Sequence, residues 1–181
     1  DMDKLASTSG WKLSKTVEAK FLQELGIIYR NWLSQVPIFV NGTQTQATDP
    51  LFLYEHGRYF DESAVRATAI DTRTLEVPVV MDWQETEPGR TGTVKIRASH
   101  LPDNFNWKDP SEYRPGTAPG KDQVAKRFKI MSDYNGIIIT RAGRQIDCIT
   151  SPPWMTFQSN DRFFKVEIDF SPDLDEYFSV T

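Results

Sequence analysis

Residues 134–147 read YNGIIITRAGRQID, and this stretch decides the fold class. A glycine opens a run of three isoleucines, the composition of a strand buried on both faces. Ala142-Gly143 then makes a tight turn between two arginines, and 145–149 returns as a second strand. Further on, 163–170 reads FFKVEIDF, in which Phe164, Val166, Ile168 and Phe170 alternate with Phe163, Lys165, Glu167 and Asp169. That period of two marks a strand with two chemically distinct faces.

Working outward, 36–40 reads as a strand and Asn41-Gly42 as a type I′ hairpin turn, with 43–47 returning until Asp49-Pro50. Before it, Val17, Phe21, Leu25, Ile28 and Trp32 fall at helical spacing, thickened by Leu22, Tyr29 and Leu33. Glu18, Lys20, Glu24, Arg30 and Asn31 fill the other side, so an amphipathic helix of about five turns is expected from Ser14, its candidate cap. Gly26 inside that helix implies close approach of a neighbouring backbone. The runs 65–70 and 75–81 are β-rich, 85–92 (ETEPGRTG) reads as a turn, and 93–98 alternates Val94 and Ile96 inward with Lys95 and Arg97 outward. A proline-rich loop spans 101–120, a second helix is expected over 121–134 and a short one over 173–180. With few helices and many strands, the chain reads as an α+β (α/β) fold: a lead-in over 1–14, then one domain over 15–181.

Composition bounds the chemistry. The 181 residues include 39% hydrophobic and 25% charged residues, enough for one core and too apolar for wholesale disorder. The net charge of −4 argues against a dominant electrostatic grip on nucleic acid, although a local basic patch stays open. Cys148 is the single cysteine, so neither an internal disulfide nor a thiolate cage can form. His56 and His100 belong to no metal-binding spacing. No apolar run approaches the ~20 residues that span a bilayer, and no signal segment opens the chain, so a cytoplasmic location is expected.

Familiar catalytic patterns fail in detail. Residues 116–122 (GTAPGKD) have three residues between the glycines where a phosphate loop has four, and Asp122 follows Lys121 where Ser or Thr belongs. No GxSxG elbow is present, and the neighbours Ser99 and His100 point to opposite faces of a strand. The candidates that remain are interaction residues. Arg141 and Arg144 flank the 142–143 turn as anion donors, with Arg90 and Lys95 beside another turn. Trp83, Trp107 and Trp154 sit in or near loops where an indole stacks on a ligand or packs the loop. Lys121, which closes the GTAPGKD loop, joins Arg141, Arg144 and Trp107 in the candidate set. No catalytic, cofactor-binding or metal-binding residue is assigned.

The segment 134–147 resembles a hairpin in the second domain of gyrase-like and Microrchidia-type ATPases, and 163–170 with 172–181 resembles the strand and turn that follow it. The helix from Lys15, the strand 38–40 and the Asn41-Gly42 hairpin fall in the matching order, and Asp3-Lys4-Leu5 resembles the segment leaving an ATP-binding domain. The family is the GHKL class of gyrase, heat-shock chaperone, histidine kinase and MutL relatives, and the part resembled is the transducer, or middle, domain. The resemblance implies a mixed sheet with helices on one face, as in ribosomal proteins, with a left-handed βαβ crossover. It implies a non-catalytic piece of an ATPase that couples nucleotide state in a preceding ATP-binding domain to conformational change. ATP and magnesium would belong to that domain, and a homodimer is an open partner. The family's phosphate-sensing lysine would fall at or just beyond Thr181, since no lysine follows Lys165. The region 61–135 departs from the family pattern. A stand-alone protein- or nucleic-acid-binding module, and a small hydrolase built on His56 or His100, are the alternatives.

Overall fold

The computed structural model describes residues 14–60, 63–81 and 85–178. Its elements are α1 (Ser14–Ile28), β1 (Phe39–Val40), β2 (Thr43–Gln44), β3 (Thr68–Met81), β4 (Glu85–His100), α2 (Arg127–Asp133), β5 (Ile137–Arg141), β6 (Arg144–Ile149) and β7 (Phe164–Phe170), with short 3-10 turns between them. β1 and β2 form a small hairpin, and the other five strands form one sheet in the order β3-β4-β7-β5-β6. The sheet is mixed: β5 and β7 run parallel, and every other neighbouring pair is antiparallel. This is an α+β fold.

The hairpin of β1 and β2 follows from its turn chemistry. Asn41 and Gly42 both have positive φ, 49° and 80°, as a type I′ turn requires. The expected close approach at Gly26 is also present, because a Cβ there would lie 2.4 Å from the carbonyl oxygen of Gln46. The carbonyl of Gly26 accepts a hydrogen bond from Thr48 N at 3.0 Å, so α1 touches the returning chain backbone to backbone.

Four expectations are corrected. First, α1 ends at Ile28, after 15 residues, and turns carry the chain to residue 35. The helical spacing therefore no longer applies to Trp32, which is 43% exposed, and Phe21 is 55% exposed. The inward side instead carries Gly26, Ile27 and, just past the helix, Arg30, which is fully buried. Second, 85–92 belongs to β4. Pro78 pairs with Thr91 and Val80 with Thr86, so residues 87–90 form a bulge opposite Val79. The connection itself falls on 82–84, outside the described residues, as does Trp83.

Third, α2 begins only at Arg127. Lys108 N bonds to Gln123 O and Ala125 N to Asn106 O, which holds Val124 extended against the proline-rich loop after a 3-10 turn at Lys121–Gln123. Val124 accordingly bridges to Trp107 and is not in a helix. Fourth, the C-terminal stretch forms a 3-10 turn at Pro172–Leu174 followed by turns, and no helix over its described residues.

The two faces of the sheet differ. Both helices lie on the face that carries Ser99, Lys165, Glu167, Ile138 and Thr140, all of which are buried. The main core, around Ile27, Phe52, Leu101, Phe105, Ile130 and Met131, fills this side. The opposite face carries Ile96, Val166, Ile168, Ile137 and Ile139, all only half-buried. One end of it is covered by the C-terminal turns, where Leu174 packs with Val79 and Phe170 and the Phe178 ring stacks on Phe170 at 4.1 Å.

Candidate functional site

A charged junction joins the end of α1 to the sheet. Arg30 Nη1 donates to Ile27 O at 2.7 Å and to Gln145 Oε1 at 2.9 Å, and Nη2 donates to Glu167 Oε2. Its Nε faces Asp49 Oδ1 at 3.5 Å. From β4, Arg97 donates through Nε (2.9 Å) and Nη2 to the other oxygen, Glu167 Oε1. Glu167 therefore holds two guanidiniums at once. Burial works against the charge on Arg97, but Glu167, Asp49 and Asp169 outweigh it and raise its pKa.

Asp49 has a second task. Its Oδ1 accepts from Leu51 N (3.1 Å), and its Oδ2 accepts from Leu53 N (2.9 Å) and Tyr54 N (3.0 Å), which shapes the turn after Pro50. That turn is clasped to β4, because Ser99 Oγ donates to Leu51 O at 2.8 Å.

The hairpin tip between β5 and β6 is tied from three sides. Ala142 and Gly143 both take positive φ. Asp169 Oδ1 accepts from Gly143 N and from Thr140 Oγ1, both at 2.7 Å. Asn31 Nδ2, next to Arg30, donates to Gly143 O at 2.8 Å. Arg141 forks onto Asp175 through Nε (2.6 Å) and Nη2 (2.5 Å). That hydrogen-bonded fork raises the pKa of Arg141 and lowers that of Asp175. Arg144 is exposed and lies over the Tyr29 ring at 5.8 Å.

Lys165 is buried beneath α2. Its Nζ donates to Met131 O at 2.6 Å and Tyr134 O at 2.9 Å, and burial lowers its pKa to about 7. Burial also raises the thiol of Cys148 nearby, and it raises the Tyr134 phenol to about 12 with the help of Glu24.

The four sequence candidates fall in two places. Arg141 and Arg144 sit at the hairpin tip. Trp107 and Lys121 sit on the proline-rich loop, where Trp107 is 5% exposed, edge-on to Tyr113, with its carbonyl accepting from Arg127 at 2.7 Å. Lys121 is exposed on a 3-10 turn beside a cleft of about 600 Å³ lined by Lys108, Lys126, Asp122 and Tyr59 among others. Trp154 is 72% exposed. Among the described residues no group of three His, Cys, Asp or Glu side chains is placed to hold a metal ion, and no helix is long and apolar enough to cross a membrane.

Sequence reasoning passed over Arg30, Asp49, Glu167 and Lys165. The available signal was the alternation of 163–170, which separates the charged residues from the apolar ones without saying which side is inward. No family model, no curated protein and no solved structure matches the chain.

Proposed function

We propose that the chain is a transducer-like domain of a GHKL-type ATPase, which couples nucleotide state in a preceding ATP-binding domain to conformational change. The observation that carries the reading is the junction at the end of α1. Arg30 and Asn31 leave the helix as neighbours and grip, respectively, Glu167 on the central strand β7 and the carbonyl of Gly143 at the hairpin tip. A displacement of α1 is thereby delivered to the sheet as a rigid body, which is the movement a relay needs. The mixed sheet with both helices on one face agrees with this reading. ATP and magnesium would be held by the preceding domain.

The test compares the 181-residue chain alone with the same chain joined to the region that precedes it. Alone, it should neither bind nor hydrolyse ATP. Joined, nucleotide should change hydrogen exchange at 141–144, and Asn31→Ala should weaken that response. Hydrolysis by the chain alone, abolished by a point change inside it, overturns the reading.

A second reading, a binding module for an anionic partner, is favoured by Lys108 and Lys126, which line the cleft of about 600 Å³, with the exposed Lys121 next in sequence to its lining residue Asp122. Arg141 is already engaged by Asp175, which directs this reading to the lysines. Salt-dependent binding of single-stranded nucleic acid, lost on Lys108→Ala with Lys126→Ala, would support it.

A further inference from the structure

The sequence holds two Asn-Gly pairs, Asn41-Gly42 and Asn135-Gly136. In such a pair the glycine nitrogen can attack the side-chain amide of the asparagine before it, because glycine puts no side chain in the way and bends freely. The fold treats the two pairs differently. Asn41 and Gly42 form the tip of the β1–β2 hairpin, and both are exposed. Chain neighbours aside, no atom lies within 4 Å of the place a Cβ on Gly42 would take. The strands behind the tip are joined by only two ladder pairs, Phe39 with Gln44 and Val40 with Thr43, so the turn opens locally at little cost.

Asn135 and Gly136 stand at the head of β5, the strand between β7 and β6. Gly136 is buried, and a Cβ there would lie 2.5 Å from the carbonyl oxygen of Ile149. Asn135 Nδ2 donates to Gln158 O at 3.2 Å, and its Oδ1 is buried. One residue earlier, the carbonyl of Tyr134 is held by Lys165 Nζ at 2.9 Å. Neither the asparagine side chain nor the glycine backbone can swing there without undoing these contacts.

We propose that Asn41 is a site of self-modification, deamidation through a cyclic imide, and that packing protects Asn135 from the same reaction. Gly42 N gives up its proton and attacks Asn41 Cγ. The Cγ–Nδ2 bond breaks, and ammonia leaves with that proton. Water then adds to one of the two carbonyl carbons of the imide and opens the ring. Opening at Cγ leaves aspartate; opening at the main-chain carbonyl leaves isoaspartate, with the main chain routed through Cγ. Either product puts a carboxylate where an amide stood. The place matters, because Asn41 Nδ2 donates to Glu18 Oε2 at 3.2 Å and Thr43 Oγ1 donates to Glu18 Oε1 at 3.4 Å, which ties the first half of α1 to the hairpin. After the reaction two carboxylates face each other there, and like charges so placed repel. Isoaspartate also adds a main-chain carbon to a two-residue turn that type I′ geometry cannot hold. The modification thus releases the hairpin tip from α1, while Gly26 and Arg30 keep their own contacts. The proposal is independent of the function proposed above.

Incubation of the full chain at mildly alkaline pH, followed by peptide mapping with mass spectrometry that separates aspartate from isoaspartate, tests the proposal. In the folded chain Asn41 should convert at least about tenfold faster than Asn135, and in concentrated urea the two should convert within about twofold of each other. Both products should form at position 41. Asn41→Asp, which installs one product without the reaction, should speed hydrogen exchange at Thr43 and Gln44 and leave 137–141 unchanged. A folded chain in which Asn135 reacts as fast as Asn41, or in which Asn41 is no faster than Asn104 and Asn106, which no glycine follows, overturns the proposal. A difference between the two pairs that persists in urea traces it to local sequence and overturns the protection by packing. Unchanged exchange in Asn41→Asp overturns the release of the hairpin.

Discussion

The two faces of the five-stranded sheet invert the usual arrangement of side chains. The face under the helices holds Lys165, Glu167, Arg97 and Thr140 together with Arg30 from above. The open face holds isoleucine and valine. On the closed face each of these groups meets a fixed partner, so position there is set by directional bonds. On the open face packing is non-directional and leaves room for another surface. Buried ion pairs contribute little net stability against an apolar substitute, but they penalise any arrangement that separates the partners. The charged face thus specifies where α1 must sit.

The sharpest way to break this contrast is Glu167→Ala. It leaves Arg30 buried without its carboxylate and should cost ~3–5 kcal/mol in urea unfolding. Replacing the pair together, Arg30→Met with Glu167→Leu, should recover much of that loss. Next comes a matched pair on neighbouring positions of β5 and β7. Ile138→Ala on the closed face should cost ~2–5 kcal/mol, and Ile168→Ala on the open face about 1 kcal/mol, because its cavity opens to solvent.

A third measurement concerns Lys165. Its folded pKa lies below its unfolded value, so between about pH 7 and pH 10 the unfolded chain binds more protons. Stability should therefore rise with pH across this window, by at most about 1.4 kcal/mol per pH unit, and this rise should be absent in Lys165→Met. The smallest effect is expected from Phe164→Ser, within about 1 kcal/mol, since the ring is 55% exposed and lies against the His100 ring.

The features set by local chemistry were legible in the sequence. Asn41-Gly42 announced its hairpin because few residues accept two consecutive positive φ angles. Gly26 announced a close contact because glycine is costly in a helix without one. The α+β class followed from the order of periodic segments. What stayed hidden was the direction of burial. The pattern of α1 put Arg30 outside and Phe21 and Trp32 inside, because no local rule reveals that Glu167, 137 residues away, supplies a counter-charge. The alternation of β7 separated its two faces correctly, and only the helices decide which one is closed. The EPGR segment carries strong turn chemistry, and β4 absorbs it as a bulge opposite Val79. The placement of Arg141 and Arg144 on either side of a tight turn was legible, whereas Asp175, which Arg141 engages, lies in a segment whose irregular turns have no sequence period.

Gly26 and Arg30 lie four residues apart across the end of α1, and each is fastened to a different layer, the first to the backbone near Thr48 and the second to β7. The four-residue interval between them is therefore a fixed length. Residues added ahead of Gly26 leave both of these fastenings in register. A single residue added between Gly26 and Arg30 would carry the guanidinium out of register with Glu167 while the glycine contact held. Relatives of this chain should vary in length ahead of that glycine and keep the interval after it constant.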